Sequence, residues 1–542
     1  MGTDSARGRD GTVGVGGGKK RMPSCNVTDS SYERFERMQT CHWSTIEGES
    51  CMISTADTST ASIDERSADA PSLSRQWNSI DWNEAERNVR HIQGRISKAY
   101  SEGRTSLAKR LSYLLVNSFH AKALAVRRVS VQNKGKHTPG VDGVLWQSAK
   151  SRMEAVNSLN KGKYRSKPLR RIYIPKRNGK LRPLSIPTMY DRAMQALYAL
   201  ALDPIQEAAA DPNSYGFRIG RSCQDARRQI QLLMATYKSP QWVLEGDIKG
   251  CFDNFSHEWM MNNIPMDKHI LKEFIKAGFV FQGQMFPSER GSPQGGVISP
   301  ILANMALNGM ERLVKSNFKA VNLVRFADDF VVTLHSPEEA EAVKELLSSF
   351  LKERGLEISE EKTLITHIDD GFDFLGWNFR KHRNQKRRIL IIRPSDKSLQ
   401  AIKTSIKETV LVKGKAKGQD ELIRELNPKI RGWCNYHNSA MASRTFLYVD
   451  AYLFHTLYRW GLRKHRKKGK RWVKDRYWHH RGNWKWTFCT DKEQLFRPVD
   501  MKIKRYVKTI NTKNPYIDTE YFQNRQNNRK YERGYRDKGI AM

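Results

Sequence analysis

Phe326-Ala327-Asp328-Asp329 joins two short apolar runs, NLVRF (322–326) and FVVTL (330–334). Their β-branched and aromatic content, and the brief link between them, predict a β-hairpin with two carboxylates at its turn. Adjacent carboxylates repel unless a cation neutralises them, and oxygen-ligated Mg²⁺ does so while leaving positions for phosphate groups. Most Asp-Asp pairs are solvated turns, and Asp369-Asp370-Gly371 is one whose glycine accounts for it as turn chemistry. What distinguishes the first pair is the ordered set of segments before it.

In QWVLEGDIKGCFDNF (241–255), Val243, Leu244 and Ile248 are strand formers, so Asp247 is expected at the tip of a strand beside the hairpin. Three carboxylates converging there make sense around metal. RGSPQGGVISP (290–300) is a loop whose glycines allow close backbone approach to a ligand, with Gln294 able to donate to it. The following ILANMALNGMERLV has helical apolar spacing. IPKRNGKLRPL (174–184) reads as a hairpin turning at Asn178-Gly179, with Lys176 and Arg182 placed to grip a triphosphate. Singly, each segment is most often a plain loop or a solvated edge; the combination and order carry the signal.

The succession IPKRNGKLRPLSIP, DRAMQAL, SYGFRIGRS, DIKGCFD, SPQGGVISP, FADD, LEISEEKT and FLGW resembles a reverse transcriptase, and more narrowly the reverse transcriptase-maturase encoded by a group II intron. The resemblance runs from about Trp77 to Asp518. It includes an amino-terminal extension, WNSIDWNEAERNVRHIQGRISKAYSEG and NSFHAKALAVRRVSVQNKGKHTPGVDGVLW, and a thumb or maturase stretch, PKIRGWCNYHN (428–438). It implies an α+β right-hand polymerase, fingers and palm followed by a helical thumb. The residues support α+β independently through hairpins flanked by amphipathic helices. Val89, Ile92, Ile96 and Ala99 share one helical face, as do Ala342, Leu346, Leu347 and Phe350 in SPEEAEAVKELLSSFLKERG.

The resemblance also implies site roles. Asp247, Asp328 and Asp329, with Ile248 beside them, would hold two Mg²⁺ ions; Lys176 and Arg182 would neutralise the triphosphate; Gln294 and Gly295 would support nucleotide and template. Phe252, five residues after Asp247, would be the ring that rejects a ribose 2′-hydroxyl. Lys362 is a candidate primer-side or structural cation, with a surface lysine an equal reading. One departure stands out: this hairpin begins with Phe326 where the family often has Tyr.

Charge separates the ends of the chain. Of the formal +37, residues 381–542 contribute +27 (41 Lys and Arg, 14 Asp and Glu), whereas residues 1–75 carry −2 (9 against 11). In WGLRKHRKKGKRWVKDRYWHHRGNWKWTF (460–488), Trp460, Trp472, Trp478, Trp484 and Trp486 alternate with cations, a composition suited to phosphate contacts and base stacking. Arg431, Trp433, Arg463, Lys464, Arg466, Lys467, Lys468, Lys470 and Arg471 are the RNA-binding candidates.

With 542 residues, two or three domains are expected. The expected divisions are a disordered extension (1–75), the amino-terminal extension of the polymerase (76–150), fingers and palm (151–380), thumb or maturase domain (381–490) and a basic tail (491–542). The tail is a possible DNA-binding remnant without the paired cysteines and histidines of an endonuclease module. Seven cysteines with no C-x-x-C pair argue against zinc and for an intracellular setting. GVGGGKK lacks P-loop spacing, MGTDSA lacks the myristoylation hydroxyl, and neither a secretory signal nor a run of about 20 apolar residues is present. The expected partners are the host intron RNA, an RNA template with DNA primer, target DNA and dNTPs, with no membrane or protein partner evident. The expected setting is a bacterial cytoplasm or, alternatively, a eukaryotic organelle. Two rival readings are a splicing cofactor with a vestigial polymerase site, opposed by the three intact aspartates, and a retron or defence enzyme, opposed by the long thumb and the amino-terminal extension.

Overall fold

The computed structural model describes residues 70–160, 162, 164–175, 179, 181–384, 387–482 and 484–537. β1 (Leu169–Pro175) and β2 (Leu181–Ile186) form the expected antiparallel hairpin, with Pro175 opposite Leu181. The turn candidate Lys176 lies outside the described residues. β3 (Trp242–Asp247) belongs to a different sheet. β4 (Phe279–Phe281) and β5 (Gln284–Phe286) extend the first sheet in the order β2-β1-β4-β5, the fingers. β6 (Asn322–Phe326), β7 (Asp329–Leu334) and β8 (Leu364–His367) join β3 in an antiparallel sheet ordered β6-β7-β3-β8, the palm.

Both faces of the palm sheet are covered, and alternation along its strands sorts the side chains. Leu244, Leu323, Phe330 and Val332 enter one core, while their neighbours Val243, Val324 and Val331 enter another. The first core also takes in Trp77, Val89 and Ile96, so residues 76–150 pack into the same interior as fingers and palm. Helix Trp82–Ser101 is capped by Asp81, whose carboxylate accepts from the backbone of Asn83 and Glu84. It buries Val89, Ile96 and Ala99 as its spacing predicts, with Ile92 half-buried. Helix Met189–Ala209 is buried on nearly every side, which makes it the axis around which this core closes.

Helix Pro337–Lys352 corrects one expectation. Its buried row is Ala340, Val343, Leu347 and Leu351; Leu346 and Phe350 flank that row half-buried, and Ala342 faces solvent. Two overlapping apolar rows exist on this helix, and the one whose members recur at three and four residues takes the centre.

β9 (Phe372–Phe374), β10 (Trp377–Asn384) and β11 (Arg387–Pro394) lead into helices Asp396–Lys407, Gln419–His437 and Ser443–Lys464. This helical thumb has its own core around Ile402, Leu426, Phe446 and Leu457. The fully buried Trp377 joins palm to thumb: its ring stacks on Tyr436 at 4.4 Å, and the Tyr436 hydroxyl donates to the Leu375 carbonyl at 2.8 Å. Beside them, His437 pairs through Nε2 with the Ser398 hydroxyl at 2.8 Å, and burial pushes its pKa down to about 3.

From Met501 the chain leaves the thumb and returns across the palm. The Lys504 amide donates to the Asn438 carbonyl (2.9 Å), the Thr509 amide to Asp225 (2.7 Å), and the Asn514 amide side chain to Ser97 (2.9 Å). Tyr516 hydrogen-bonds Asp203, and Phe522 lies against Gly220. The segment expected as a basic tail is thus a strap over palm and amino-terminal helices, with Lys513 and Arg525 engaged by Asp518 and Asp225. Among the described residues no helix is long and apolar enough to cross a membrane.

The His437 ring makes the thumb junction acid-sensitive. Its folded pKa lies below the ordinary 6.5, so on acidification the unfolded chain takes up a proton that the folded one refuses. Stability present above pH 6.5 is therefore lost as the pH falls toward 3, by about 1.4 kcal/mol per unit at the steepest. Urea denaturation at pH 7 and 5 should show a larger loss for the parent than for His437→Gln; equal losses would assign the acid sensitivity elsewhere.

Candidate active site

Asp247 closes β3 and stands in register with Asp329, the first residue of β7. Phe326 pairs with the same Asp329, leaving Ala327-Asp328 as a two-residue turn. The sheet therefore brings together the three carboxylates singled out in the sequence, at one end of two neighbouring strands. Ala327 holds φ at 59°, a left-handed conformation that costs a residue with a side chain about 1–2 kcal/mol.

Two supports hold that turn. Arg325, fully buried, donates from Nη1 to the Ala327 carbonyl (3.1 Å) and to Asn304 Oδ1 (3.2 Å), and from Nη2 to Asn308 Oδ1 (3.3 Å). The segment Asn213–Gly216 runs alongside: the Arg325 amide donates to the Asn213 carbonyl (3.0 Å), and the Tyr215 amide to the Arg325 carbonyl (2.9 Å). Gly216 lies so close that a Cβ there would meet the Ala327 nitrogen at 2.3 Å. SYGFRIGRS supplies Tyr215 and Gly216 of that segment, yet composition gives no hint of the contact at Gly216: the signal is a missing side chain.

Electrostatics follow from the crowding. Burial, then the neighbouring Asp328 and Asp247 charges, push the Asp329 carboxyl far above the ordinary range. Lys362 answers part of that charge: its ammonium donates to Asp247 Oδ2 at 2.6 Å, and this bond raises its own pKa. Backbone pairing delivers it there, because the Ser359 amide donates to the Asp247 carbonyl at 2.8 Å and Ile248 bridges Ile358. The Lys362 side chain is otherwise exposed, so its pairing with Asp247 sits at the surface of the molecule. Ile248 is buried, and its aliphatic side chain carries no donor atom, so only its main-chain carbonyl suits a cation.

Among the described residues no three His, Cys, Asp or Glu side chains are already drawn around one point. The donor set nonetheless fits a hard divalent cation: in-register Asp247 and Asp329 and the adjacent Asp328 supply carboxylate oxygens, one of which now pairs with Lys362.

The loop Gly291–Gly296 borders this end of the sheet. Its Ser292 amide donates to the Phe252 carbonyl (2.7 Å), and the Gln294 carbonyl accepts from the Ser185 amide of β2 (2.8 Å). Gly295 has φ +112°, and a Cβ there would meet the Ser185 carbonyl at 2.7 Å, so backbone approach is its role here. The Gln294 side chain reaches toward Asp253 at 3.5 Å. Phe252 is half-buried with its ring edge-to-face on Phe217 at 6.2 Å, and Arg182 is exposed on β2.

The thumb candidates divide. Arg463, Arg466, Lys467, Lys468, Lys470 and Arg471 are exposed around the turn between helix Ser443–Lys464 and helix Lys470–Tyr477. Lys464 is tied to the Lys417 carbonyl (2.6 Å), and Arg431 lies over the Phe496 ring. The stacking expectation needs correction for Trp460 and Trp478, which are buried in the thumb core; the RNA-binding candidate Trp433 is half-buried and donates to Ser398 at 3.0 Å. A ring packed inside offers no face to a base. Trp472, Trp484 and Trp486 remain exposed, Trp486 beneath Lys474.

Three family models match the chain: reverse transcriptase (RNA-dependent DNA polymerase) over residues 174–379, the N-terminal domain of reverse transcriptase over 77–159, and the group II intron maturase-specific domain over 399–478. Protein YkfC of Escherichia coli (strain K12) is 34% identical over 322 residues, covering 50% of this chain and 84% of that protein. Group II intron-encoded protein LtrA of Lactococcus lactis subsp. cremoris is 30% identical over 407 residues, 57% of this chain and 67% of that protein. Maturase-like protein 1 of Euglena gracilis is 27% identical over 364 residues, 66% of this chain and 76% of that protein. Reverse transcriptases generally use Mg²⁺ in catalysis.

The Gly216 contact is open to direct test. In Gly216→Ala the added methyl meets backbone that cannot yield without moving the Ala327-Asp328 turn. Nucleotide addition should fall about a hundredfold with RNA affinity unchanged; an unimpaired rate in primer extension would show that the turn tolerates the displacement.

Proposed function

The chain belongs to the group II intron-encoded reverse transcriptases, RNA-directed DNA polymerases carrying a maturase domain, and from that premise we propose how its own residues divide the work. Asp247, Asp328 and Asp329, with the Ile248 carbonyl, hold two Mg²⁺ ions. The observation that carries this reading is the register of Asp247 against Asp329 with Asp328 on the adjoining turn. When bound, the ions supply activation of a primer 3′-hydroxyl and charge stabilisation for the departing pyrophosphate.

The remaining roles belong to side chains and backbone. Arg182, and with it Lys176, offsets negative charge that grows on the triphosphate, the guanidinium by paired donors. Gln294 and Gly295 shape the floor on which nucleotide and template rest, since their backbone is fixed to β2. Phe252, backed by Phe217, presents a ring edge that leaves no room for a 2′-oxygen and offers it no hydrogen bond. Lys362 balances Asp247 in the resting site and shifts to the primer side as substrate charge arrives.

The exposed cations of 463–471 and the rings of Trp472, Trp484 and Trp486 take the host intron RNA, assisting its splicing and its mobility into target DNA. Such binding weakens steeply with salt, its logarithmic slope growing by about 0.7–0.9 per phosphate contacted. The setting proposed is a bacterial cytoplasm, in keeping with the relatives from Escherichia coli and Lactococcus.

Primer extension on a long RNA template with Mg²⁺, beside Asp328→Ala/Asp329→Ala, tests the core of this reading. Extension abolished by the double substitution is expected; no extension by the parent, with RNA still bound in a salt-dependent way, would mark a splicing cofactor instead. Phe252→Val should raise ribonucleotide incorporation relative to deoxyribonucleotide by about tenfold or more, read from single-nucleotide addition; an unchanged ratio would remove the gate from Phe252.

A further inference from the structure

The strap of residues 501–525 touches the palm at many points, and one of them leads to the catalytic turn. Asn213 is buried, and its side-chain orientation is fixed: Nδ2 donates to Glu311 Oε1 at 2.7 Å, while the Glu311 carboxylate also accepts the Asn213 backbone amide at 2.8 Å. With its NH₂ committed to a carboxylate, Asn213 must present Oδ1 to the strap. Asn511 supplies the matching donor, Nδ2 to Asn213 Oδ1 at 2.7 Å. Its own Oδ1 then faces the buried Tyr215 hydroxyl at 3.1 Å. One amide therefore serves two palm residues, a donor to the first and an acceptor for the second.

Those two residues are the ones whose backbones clasp Arg325. The Asn213 carbonyl accepts from the Arg325 amide and the Tyr215 amide donates to the Arg325 carbonyl. Gly216 follows directly, pressed on Ala327. The strained turn bearing Asp328 thus leans on a segment whose polar side chains are completed from nearly three hundred residues downstream.

We propose that Asn511 is a positioning residue for nucleotide addition: by closing the Asn213–Tyr215 hydrogen bonds it fixes the prop behind the Ala327-Asp328 turn. The inference rests on that turn being the catalytic one. Without Asn511, Asn213 Oδ1 loses its short donor, and the Tyr215 hydroxyl retains only that Oδ1 at 3.3 Å. The prop then samples other arrangements, and the carboxylates move with it.

Single-turnover addition of one nucleotide by the full chain on an RNA template separates positioning from simple support. The burst amplitude counts competent molecules, and the rate constant at saturating dNTP reports the geometry in each. Asn511→Ala removes both bonds to the palm, together with the Lys508 Nζ bond to the same Oδ1 (2.5 Å). Asn511→Asp keeps the shape and the acceptor but removes the donor to Asn213. Tyr516→Phe loosens the strap at Asp203 without touching the prop. The expected result is a rate constant lowered about tenfold to a hundredfold in both Asn511 variants, with amplitude and template affinity kept, and a normal rate in Tyr516→Phe. A normal rate constant in the Asn511 variants overturns the inference, whether or not amplitude is lost, and so does an equal fall in Tyr516→Phe. The inference also falls if the parent adds no nucleotide or the Asp328→Ala/Asp329→Ala chain adds it normally, but there the catalytic reading fails first.

Discussion

Repulsion among Asp247, Asp328 and Asp329 is the constraint around which the palm is organised. Strand pairing sets Asp247 against Asp329, and a two-residue turn adds the third charge. Ionised together they repel, and burial with the Asp328 and Asp247 charges raises the Asp329 pKa in response. The surrounding structure holds them together with rigid parts: a buried guanidinium bonded to the turn's carbonyl, a glycine backbone in contact with it, and two hydrophobic cores gripping opposite faces of the same strands. Lys362 offsets part of the charge by its bond to Asp247. A site strained in this way is ready for cations, because positive charge relieves what the fold has imposed.

Much of this was legible in the sequence. Strand formers before Asp247 and on both sides of the Asp pair located the hairpin and its neighbour, because a period of two and an acid at the tip are local signals. Lys362 could be named but not placed, since its position depends on the pairing of Ser359 with Asp247 across a long separation. The prop at Asn213–Gly216 stayed invisible as such. Its contribution is backbone hydrogen bonding and an absent Cβ, neither of which has a periodicity.

The thumb shows a different kind of misreading. Alternating cations and indoles look alike whether the rings face in or out. Leu453, Leu457 and Trp460 fall three and four residues apart, and that spacing buries Trp460 with the aliphatic row. The basic residues that follow sit exposed on a turn and the start of a short helix. Fold core and charged surface are thus interleaved in a stretch of sequence that composition alone treats as uniform.

The returning strap gives the chain an unusual order of assembly. Asn213 and Tyr215 are synthesised long before Asn511, separated by 298 and 296 residues. While the ribosome is still making the thumb, the palm can collapse around its apolar cores, yet its buried amide and phenol lack their final partners. At translation rates of about 5–20 residues per second, that interval lasts on the order of 15–60 seconds. On the reading proposed above, the Ala327-Asp328 turn gains its last support only when Asn511 arrives, and a product ending before it would lack the bonds to Asn213 and Tyr215.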